Sequence, residues 1–212
     1  MANVNAPFGF KLIGSQTNDK LPQAQPFTVT TSQTICVGDP VIKTSSGTVS
    51  IATAGLTTGH LGIAATATQT ANGSSTFPNG AYAPAGGTFG AAPAGQGIMV
   101  YTDPMALYAV QCYTSSAGTP AQTIVFGTYD VYIGTGSTTT GQSACALNIA
   151  AAATGVLPWE VLWLYPDMSG KNAWGANAVV VVRYNPAFIF GMLTTMYWTG
   201  SVGTQKIAYP GI

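Results

Sequence analysis

A chain of 212 residues is long enough to bury one sizeable core, and we expect one main domain because all-β domains often reach this size. Only 6% of the residues are charged, six Lys plus Arg against six Asp plus Glu, where a soluble domain usually carries about 25%. The net charge of zero argues against a nucleic-acid partner, because binding to phosphates depends on Lys and Arg. So few charges are typical of a subunit that is covered by partners or fixed in an assembly.

Residues 1–26 predict an N-terminal arm rather than a folded unit, because Pro and Gly interrupt each short apolar piece. Its apolar side chains would be unfavourably exposed if the arm were surrounded by water. We therefore expect Phe8, Phe10 and Leu12 to lie on a surface, either the chain's own or a neighbour's. The folded body is then predicted to span residues 27–187.

The body is predicted to be almost entirely β, with no helix longer than about two turns, because Gly and Pro alternate with β-branched runs. The segment 35–64 predicts a packed meander of three strands, at 41–43, 49–52 and 61–64, with turns between them. Further strands are predicted at 27–31, 98–101, 105–113, 123–126, 130–133, 159–165 and 178–184.

Two segments of the body have unusual compositions. The continuous apolar run at 178–184 predicts a strand that is covered on both faces, or one whose second face meets another subunit. The segment 66–97 is rich in Gly, Ala and Pro, and we interpret it as an excursion that packs through Phe77, Tyr82 and Phe89.

The last residues, 188–212, predict a second, apolar arm that Gly and Pro interrupt. Together the two arms supply the candidate contacts with neighbouring subunits. These are Phe8, Phe10, Leu12, Phe188, Phe190, Met192, Tyr197 and Trp198.

The residues predict no catalytic, cofactor or metal site. His60 is the only histidine and follows Gly59, so we interpret it as a turn or edge residue. Asp39 and Asp103 each precede a proline, where a carboxylate shapes a turn; a glycosidase-like pair of acids is the alternative. The cysteines are Cys36, Cys112 and Cys145, an odd number without CxxC spacing, which predicts small buried hydrophobes.

Two properties argue against a membrane partner. The N-terminus has neither the basic start nor the apolar run of a signal peptide. The longest apolar stretch, 176–190, is interrupted by Asn177, Arg183, Asn185 and Pro186 and is too polar to span a bilayer.

Five motifs together resemble the decoration, or cement, proteins that tailed bacteriophages encode with their head genes. The motifs are MANVNAPFGF at 1–10, VGDPV at 37–41, LGIA at 61–64, GST with GQS at 136–143, and NAVVVV at 177–182 ahead of Asn185. The resemblance implies a jelly-roll or related β-barrel and no catalytic residues. It also implies a subunit made in the host cytoplasm and placed on the outer capsid surface of the virion. Its partners would be the major capsid protein and copies of itself, as a trimer in preference to a dimer.

The main alternative is a receptor-binding or carbohydrate-binding β-module of a phage tail fibre, in which exposed Trp and Tyr would form sugar platforms. A hydrolase is a more distant alternative. A major capsid protein is disfavoured, because that shell fold needs a long helix. The position on the particle separates the first two functions, since many copies over the head indicate cement and a few at the tail indicate an adhesin.

Overall fold

The computed structural model describes residues 3–17, 21–55, 60–70, 89–113, 119–150, 157–167 and 170–186. In these residues the chain forms eleven strands and one short 3₁₀ helix, which confirms the predicted all-β fold. The 3₁₀ helix, η1, is Gln122–Ile124. The strands are β1 Lys11–Ser15, β2 Ala24–Thr28, β3 Pro40–Lys43, β4 Val49–Ile51, β5 His60–Ala64, β6 Gly97–Tyr101, β7 Ala106–Tyr113, β8 Thr128–Tyr132, β9 Ala146–Asn148, β10 Trp159–Leu164 and β11 Val179–Tyr184.

The first sheet has six strands in the order β1-β7-β11-β10-β8-β9. Strand β7 also pairs in parallel with β9, through Cys112 and Leu147, so β7, β11, β10, β8 and β9 close into a ring. Strand β1 pairs with the first half of β7, from the pair Lys11 and Ala109 to the pair Ser15 and Ala106. Every other pairing in this sheet is antiparallel.

The second sheet has five strands in the order β2-β6-β5-β3-β4. Just after β2, Val29 forms a parallel bridge with Val49 of β4, and the Thr30 N–H donates to the Val49 carbonyl at 2.8 Å. This bridge joins the first and last strands of the order.

Each sheet encloses its own apolar core, and the two sheets pack together. The first core is built around Trp159, and Phe10 and Ile63 join it where the sheets meet. The second core consists of Val29, Ile35, Val41, Val49, Ala64, Ala92, Ile98 and Val100. The sandwich or barrel part of the predicted fold is therefore supported, whereas a jelly-roll topology is not confirmed.

The strands at 41–43, 49–52, 61–64, 98–101, 105–113, 130–133, 159–165 and 178–184 appear within a residue or two of their predicted positions. The strand predicted at 123–126 is wrong. Its apolar side chains Ile124 and Val125 do pack against the first core, but from η1 and the turn after it. Strand β9 was not predicted, because it follows a polar, turn-rich run that starts at Gly134 and shows no strand period.

The predicted N-terminal boundary of the body is also wrong. Strand β1 lies inside the segment 1–26 and belongs to the first sheet, and β2 begins inside it, at Ala24, and belongs to the second. Backbone pairing with β7 and β6 outweighs the Pro and Gly interruptions that predicted an arm. The arm at 188–212 lies outside the described residues, as do Phe77 and Tyr82 of the predicted excursion.

Two predictions about burial are confirmed. Val180, Val181 and Val182 of β11 are all fully buried, although successive side chains point to opposite faces of a strand, so β11 is covered on both faces. All three cysteines are buried free thiols. Phe89 is buried as well, and its ring lies against Gly141, so one end of the excursion packs on the body.

We predict that Phe10→Ala lowers the free energy of unfolding by about 3–5 kcal/mol, because it leaves a cavity beside Trp159, whose ring centroid lies 4.4 Å from that of Phe10. The control is Leu21→Ala, because Leu21 is 65% exposed where Phe10 is 2% exposed. The control should change stability by less than about 0.5 kcal/mol. Urea unfolding checks both, and equal effects would contradict the placement of Phe10.

Candidate functional site

Four segments that lie far apart in the sequence meet at a buried junction around Asp39, here called the Asp39 junction. The Phe10 N–H donates to the Gly38 carbonyl at 2.9 Å, and the Gly38 N–H donates to the Ala64 carbonyl at 2.9 Å. The Gly9 N–H donates to the Cys145 carbonyl at 3.1 Å. The Ser143 N–H donates to the Val37 carbonyl at 3.0 Å, so the motifs at 1–10, 37–41, 61–64 and 136–143 are all brought into contact.

Glycine is required at two points of the junction. Gly9 has φ +76°, and a Cβ added there would lie 2.6 Å from the Ser143 Cβ and 2.7 Å from the Gly38 carbonyl oxygen. Gly38 has φ +91°, and a Cβ added there would lie 3.2–3.3 Å from backbone atoms of Phe8, Gly9 and Phe10. Both positions need a left-handed backbone and close approach, which only glycine combines without strain.

The Asp39 carboxylate connects the two sheets. Its Oδ2 accepts the Cys36 N–H at 2.7 Å on the side of the second sheet, and its Oδ1 accepts the Cys145 thiol at 3.2 Å on the side of the first. Asp39 is 2% exposed, and burial raises its pKa above the ordinary value, while the hydrogen bonds that it accepts act in the opposite direction.

The turn role predicted for the two acids before prolines is confirmed. Asp39 bonds the backbone three residues before it, and Asp103 Oδ1 accepts the Met105 N–H at 2.8 Å. The sequence did not indicate that Asp39 also reaches across to the other sheet. The local signal is only the turn sequence Gly38-Asp39-Pro40, and the partner Cys145 lies more than a hundred residues away.

The titratable groups near the junction are poorly suited to attack a substrate. Burial raises the pKa of Cys145 to about 12 and that of Cys36 to about 12, so both stay protonated near neutral pH. Burial lowers the pKa of His60 to about 4, and its ring meets Trp159 edge-on at 6.5 Å. In the described ranges no group of three or more His, Cys, Asp or Glu is placed to hold a metal ion.

The residues before Phe10 are also tied to the body. The Asn3 amide donates to the Ala176 carbonyl at 3.0 Å. Gln111, which is buried in β7, donates to the Val4 carbonyl at 2.8 Å and accepts the Ala6 N–H at 3.1 Å. The N-terminal segment is therefore held by its own chain over most of its described length.

This arrangement corrects the predicted contact role of Phe10. Its side chain is enclosed in the first core, so a neighbouring subunit has no access to it in the folded chain. Leu12 is half-buried and packs against the same core, while Phe8 is half-buried at the edge of the junction. The other predicted contacts, Phe188, Phe190, Met192, Tyr197 and Trp198, lie outside the described residues.

The described structure also exposes two aromatic side chains, Phe126 and Trp163, which are together called here the Phe126–Trp163 surface. Phe126 is 74% exposed and Trp163 is 45% exposed. The Phe126 N–H donates to the carbonyl of Val161 at 2.7 Å, two residues before Trp163 on β10. The two aromatic residues therefore lie on neighbouring backbone segments.

The backbone of Phe126 is strained. Its φ is +63°, a value that is unusual for a bulky L-residue and that persists only where the surroundings enforce it. Here the Phe126 N–H bond to Val161 and the Val161 N–H bond to the Gly127 carbonyl, at 3.1 Å, fix the turn. A strained backbone that places an aromatic ring in solvent is the strongest sign of an interaction site in the described structure.

The strands under this surface contribute no unpaired charge. On neighbouring β11 and β10, the Arg183 Nε donates to the Glu160 Oε2 at 2.8 Å, so the two charges neutralise each other. A partner for this surface has to be recognised mainly by shape and apolar contact. The run WEVLWLY predicted a strand, but the bulge between Val161 and Trp163, which turns Trp163 outward, has no sequence signal.

Comparisons with protein-family models, with curated proteins and with solved structures found no match. Among the described residues, no helix has the length and apolar character needed to cross a bilayer.

We predict that Asp39→Ala lowers the free energy of unfolding by about 2–4 kcal/mol, because it leaves the buried Cys36 N–H and the Cys145 thiol without their acceptor. Asp103→Ala is the control, since it removes a turn carboxylate that bonds an exposed N–H, and should cost about 1 kcal/mol or less. Urea unfolding measures both. A smaller loss for Asp39→Ala than for Asp103→Ala would contradict the bridging role of Asp39.

A second prediction concerns pH. His60 has a lower pKa in the folded state, about 4, than its ordinary 6.5, so the unfolded state binds the proton more readily. The stabilising effect of neutral His60 is complete above about pH 6.5 and is lost as pH falls toward 4. At about 1.4 kcal/mol per pKa unit, the loss is on the order of 3 kcal/mol.

The variant His60→Gln isolates this effect, because every other titrating group, including Asp39, is common to both proteins. The difference in unfolding free energy between wild type and variant should shrink between pH 7 and pH 4. A difference that stays constant over that range would show that His60 does not titrate as its burial predicts.

Proposed function

We propose that this protein is a structural virion subunit, a decoration or cement protein that binds the outer surface of a phage head. It stabilises the head by bridging capsomers of the major capsid protein. The observation that carries the proposal is the Phe126–Trp163 surface, two exposed aromatic residues on a rigid β body with almost no charge. The five motifs that resemble decoration proteins also support it.

The physical basis of the attachment is apolar burial. Covering one large apolar side chain is worth about 1.5–3 kcal/mol, so a surface with two such residues gives a weak individual contact. A cement subunit needs several weak contacts rather than one strong contact, since each further contact forms at high effective concentration once the first has formed. Because backbone hydrogen bonds fix Phe126, little conformational entropy is lost when its ring is covered.

The second candidate is a carbohydrate-binding β-module of a tail fibre, and one observation favours it. Tyr113 of β7 and Tyr132 of β8 stack with ring centroids 3.7 Å apart and planes 9° apart. Both rings are partly exposed at the end of the first sheet, next to β9. Partly exposed aromatic rings at the ends of two strands are a suitable platform for a sugar, so Tyr113→Ala should weaken attachment only if this second function is the true one.

We predict that attachment survives high salt. At about 1 M salt the Debye length is near 3 Å, which screens exposed ion pairs but leaves apolar contacts nearly unchanged. Purified protein is added to particles that lack it, and the particles are pelleted and washed at about 0.1 M and about 1 M salt. The protein should remain in the pellet under both conditions.

Two variants make this test specific. Phe126→Ala combined with Trp163→Ala should reduce pelleting at both salt concentrations. Leu21→Ala, which truncates another exposed apolar residue, should leave it unchanged. Release of the wild type at about 1 M salt, or equal binding by all three proteins, would contradict an apolar attachment through this surface.

A further inference from the structure

Three polar atoms are enclosed in the first core. They are the hydroxyl oxygens of Tyr108 and Tyr184 and the indole nitrogen of Trp159. Tyr108 and Trp159 are 0% exposed and Tyr184 is 5% exposed. Within the part of the chain that the structure describes, none of these three atoms has a hydrogen-bond partner. A buried hydroxyl or N–H without a partner costs free energy, so three of them in one core require a physical cause.

The three side chains come from adjacent strands and lie close together. Trp159 on β10 pairs with Tyr184 on β11, and Tyr108 on β7 pairs with Val182, two residues before Tyr184. The ring centroids of Trp159 and Tyr184 are 4.4 Å apart. The Tyr108 centroid lies 5.8 Å from that of Trp159 and 6.5 Å from that of Tyr184. Side chains this close can share one small ligand.

The electrostatics of the core also place the two hydroxyls near each other. Burial raises the pKa of both tyrosines, and the neighbouring Tyr184 hydroxyl and the Asp103 carboxylate raise the pKa of Tyr108 further. Both phenols therefore stay protonated near neutral pH and keep their O–H groups as donors.

The donors and acceptors define the chemistry of the ligand. The Trp159 indole N–H only donates, whereas each tyrosine hydroxyl donates one hydrogen bond and can also accept. A water molecule accepts two hydrogen bonds and donates two, so one water can accept from Trp159 and from one hydroxyl and donate to the other. The centroid distances are those of rings in direct contact, which argues against a larger ligand.

An anion fits this site less well than water. The negative charge of Asp103 acts on Tyr108 and would repel a second negative charge there. Arg183, the neighbour of Tyr184 in the sequence, is already paired with Glu160 at 2.8 Å. A buried anion would therefore have to lose its hydration without gaining a counter-charge from Arg183.

We propose that the first core binds an ordered water molecule that joins the hydroxyls of Tyr108 and Tyr184 to the indole N–H of Trp159. This water links β7, β11 and β10 through their side chains, in addition to the backbone pairing of these strands. The site lies inside the body rather than on its surface, so it is independent of the proposed function.

Replacing either tyrosine with phenylalanine gives opposite results with and without the water. If water bridges the hydroxyls, Tyr108→Phe or Tyr184→Phe removes a hydrogen bond and should raise the unfolding equilibrium constant about fivefold. If the hydroxyls have no partner, each replacement removes an unsatisfied buried group and should lower that constant, which would overturn the proposal.

Urea unfolding of the full-length protein measures these constants. The control is Tyr165→Phe, because Tyr165 is half-buried and belongs to neither core. It should change the unfolding constant by about twofold or less. A control effect as large as that of the two core variants would contradict a special role for the core hydroxyls.

The double variant tests whether the two hydroxyls share one water. If they do, the first replacement already weakens the site, so the losses of stability in the two single variants should sum to more than the loss in the double variant. Strictly additive losses would overturn a shared water.

A crystal structure of the protein soaked in bromide observes the site directly. The expected result is a peak of electron density about 2.7–3.2 Å from both tyrosine oxygens, without the anomalous signal of bromide. A peak with that signal would identify an anion, and the lack of any peak between the hydroxyls would leave them unbridged. Either result would overturn the proposal.

Discussion

The buried carboxylate of Asp39 is the interaction on which the rest of the structure depends. It accepts the N–H of Cys36, which precedes β3 of the second sheet, and the thiol of Cys145, which directly precedes β9 of the first. The N-terminal segment packs against this junction where Gly9 approaches Gly38. A carboxylate removed from water to this extent is costly, and only the hydrogen bonds of the junction offset the cost. The same bonds hold the sheets in one orientation, so the body can present a rigid outer surface.

A body held in this way can keep the exposed side chains of the Phe126–Trp163 surface in fixed positions. A folded chain that only had to be stable would bury Phe126 or relax its backbone, because positive φ at a bulky residue costs on the order of 1–3 kcal/mol. Here two backbone hydrogen bonds to β10 maintain the strained turn, and the ring remains in solvent. A strained turn that keeps the Phe126 ring exposed is consistent with a role for that ring in binding another molecule, either another copy of the chain or a capsid subunit.

The sequence predicted the strands better than it predicted what joins them. The β-branched runs, such as the one that became β11, have a strong local signal, and most of the predicted strands were found. The N-terminal segment was misjudged because its partners are remote: Phe10 packs on Trp159, and its N–H bonds Gly38. Phe126 was also misjudged, since a short apolar run before a glycine suits a strand end and a 3₁₀ turn equally well. Nothing local encodes the bulge that exposes Trp163.

The proposal that this nearly uncharged body coats a phage head is checked by a cryo-EM map of the intact particle. If the proposal holds, the body lies at many symmetry-related positions over the head, with the Phe126–Trp163 surface buried between subunits. A map with only a few copies, at the tail, and with that surface open to solvent would contradict the account.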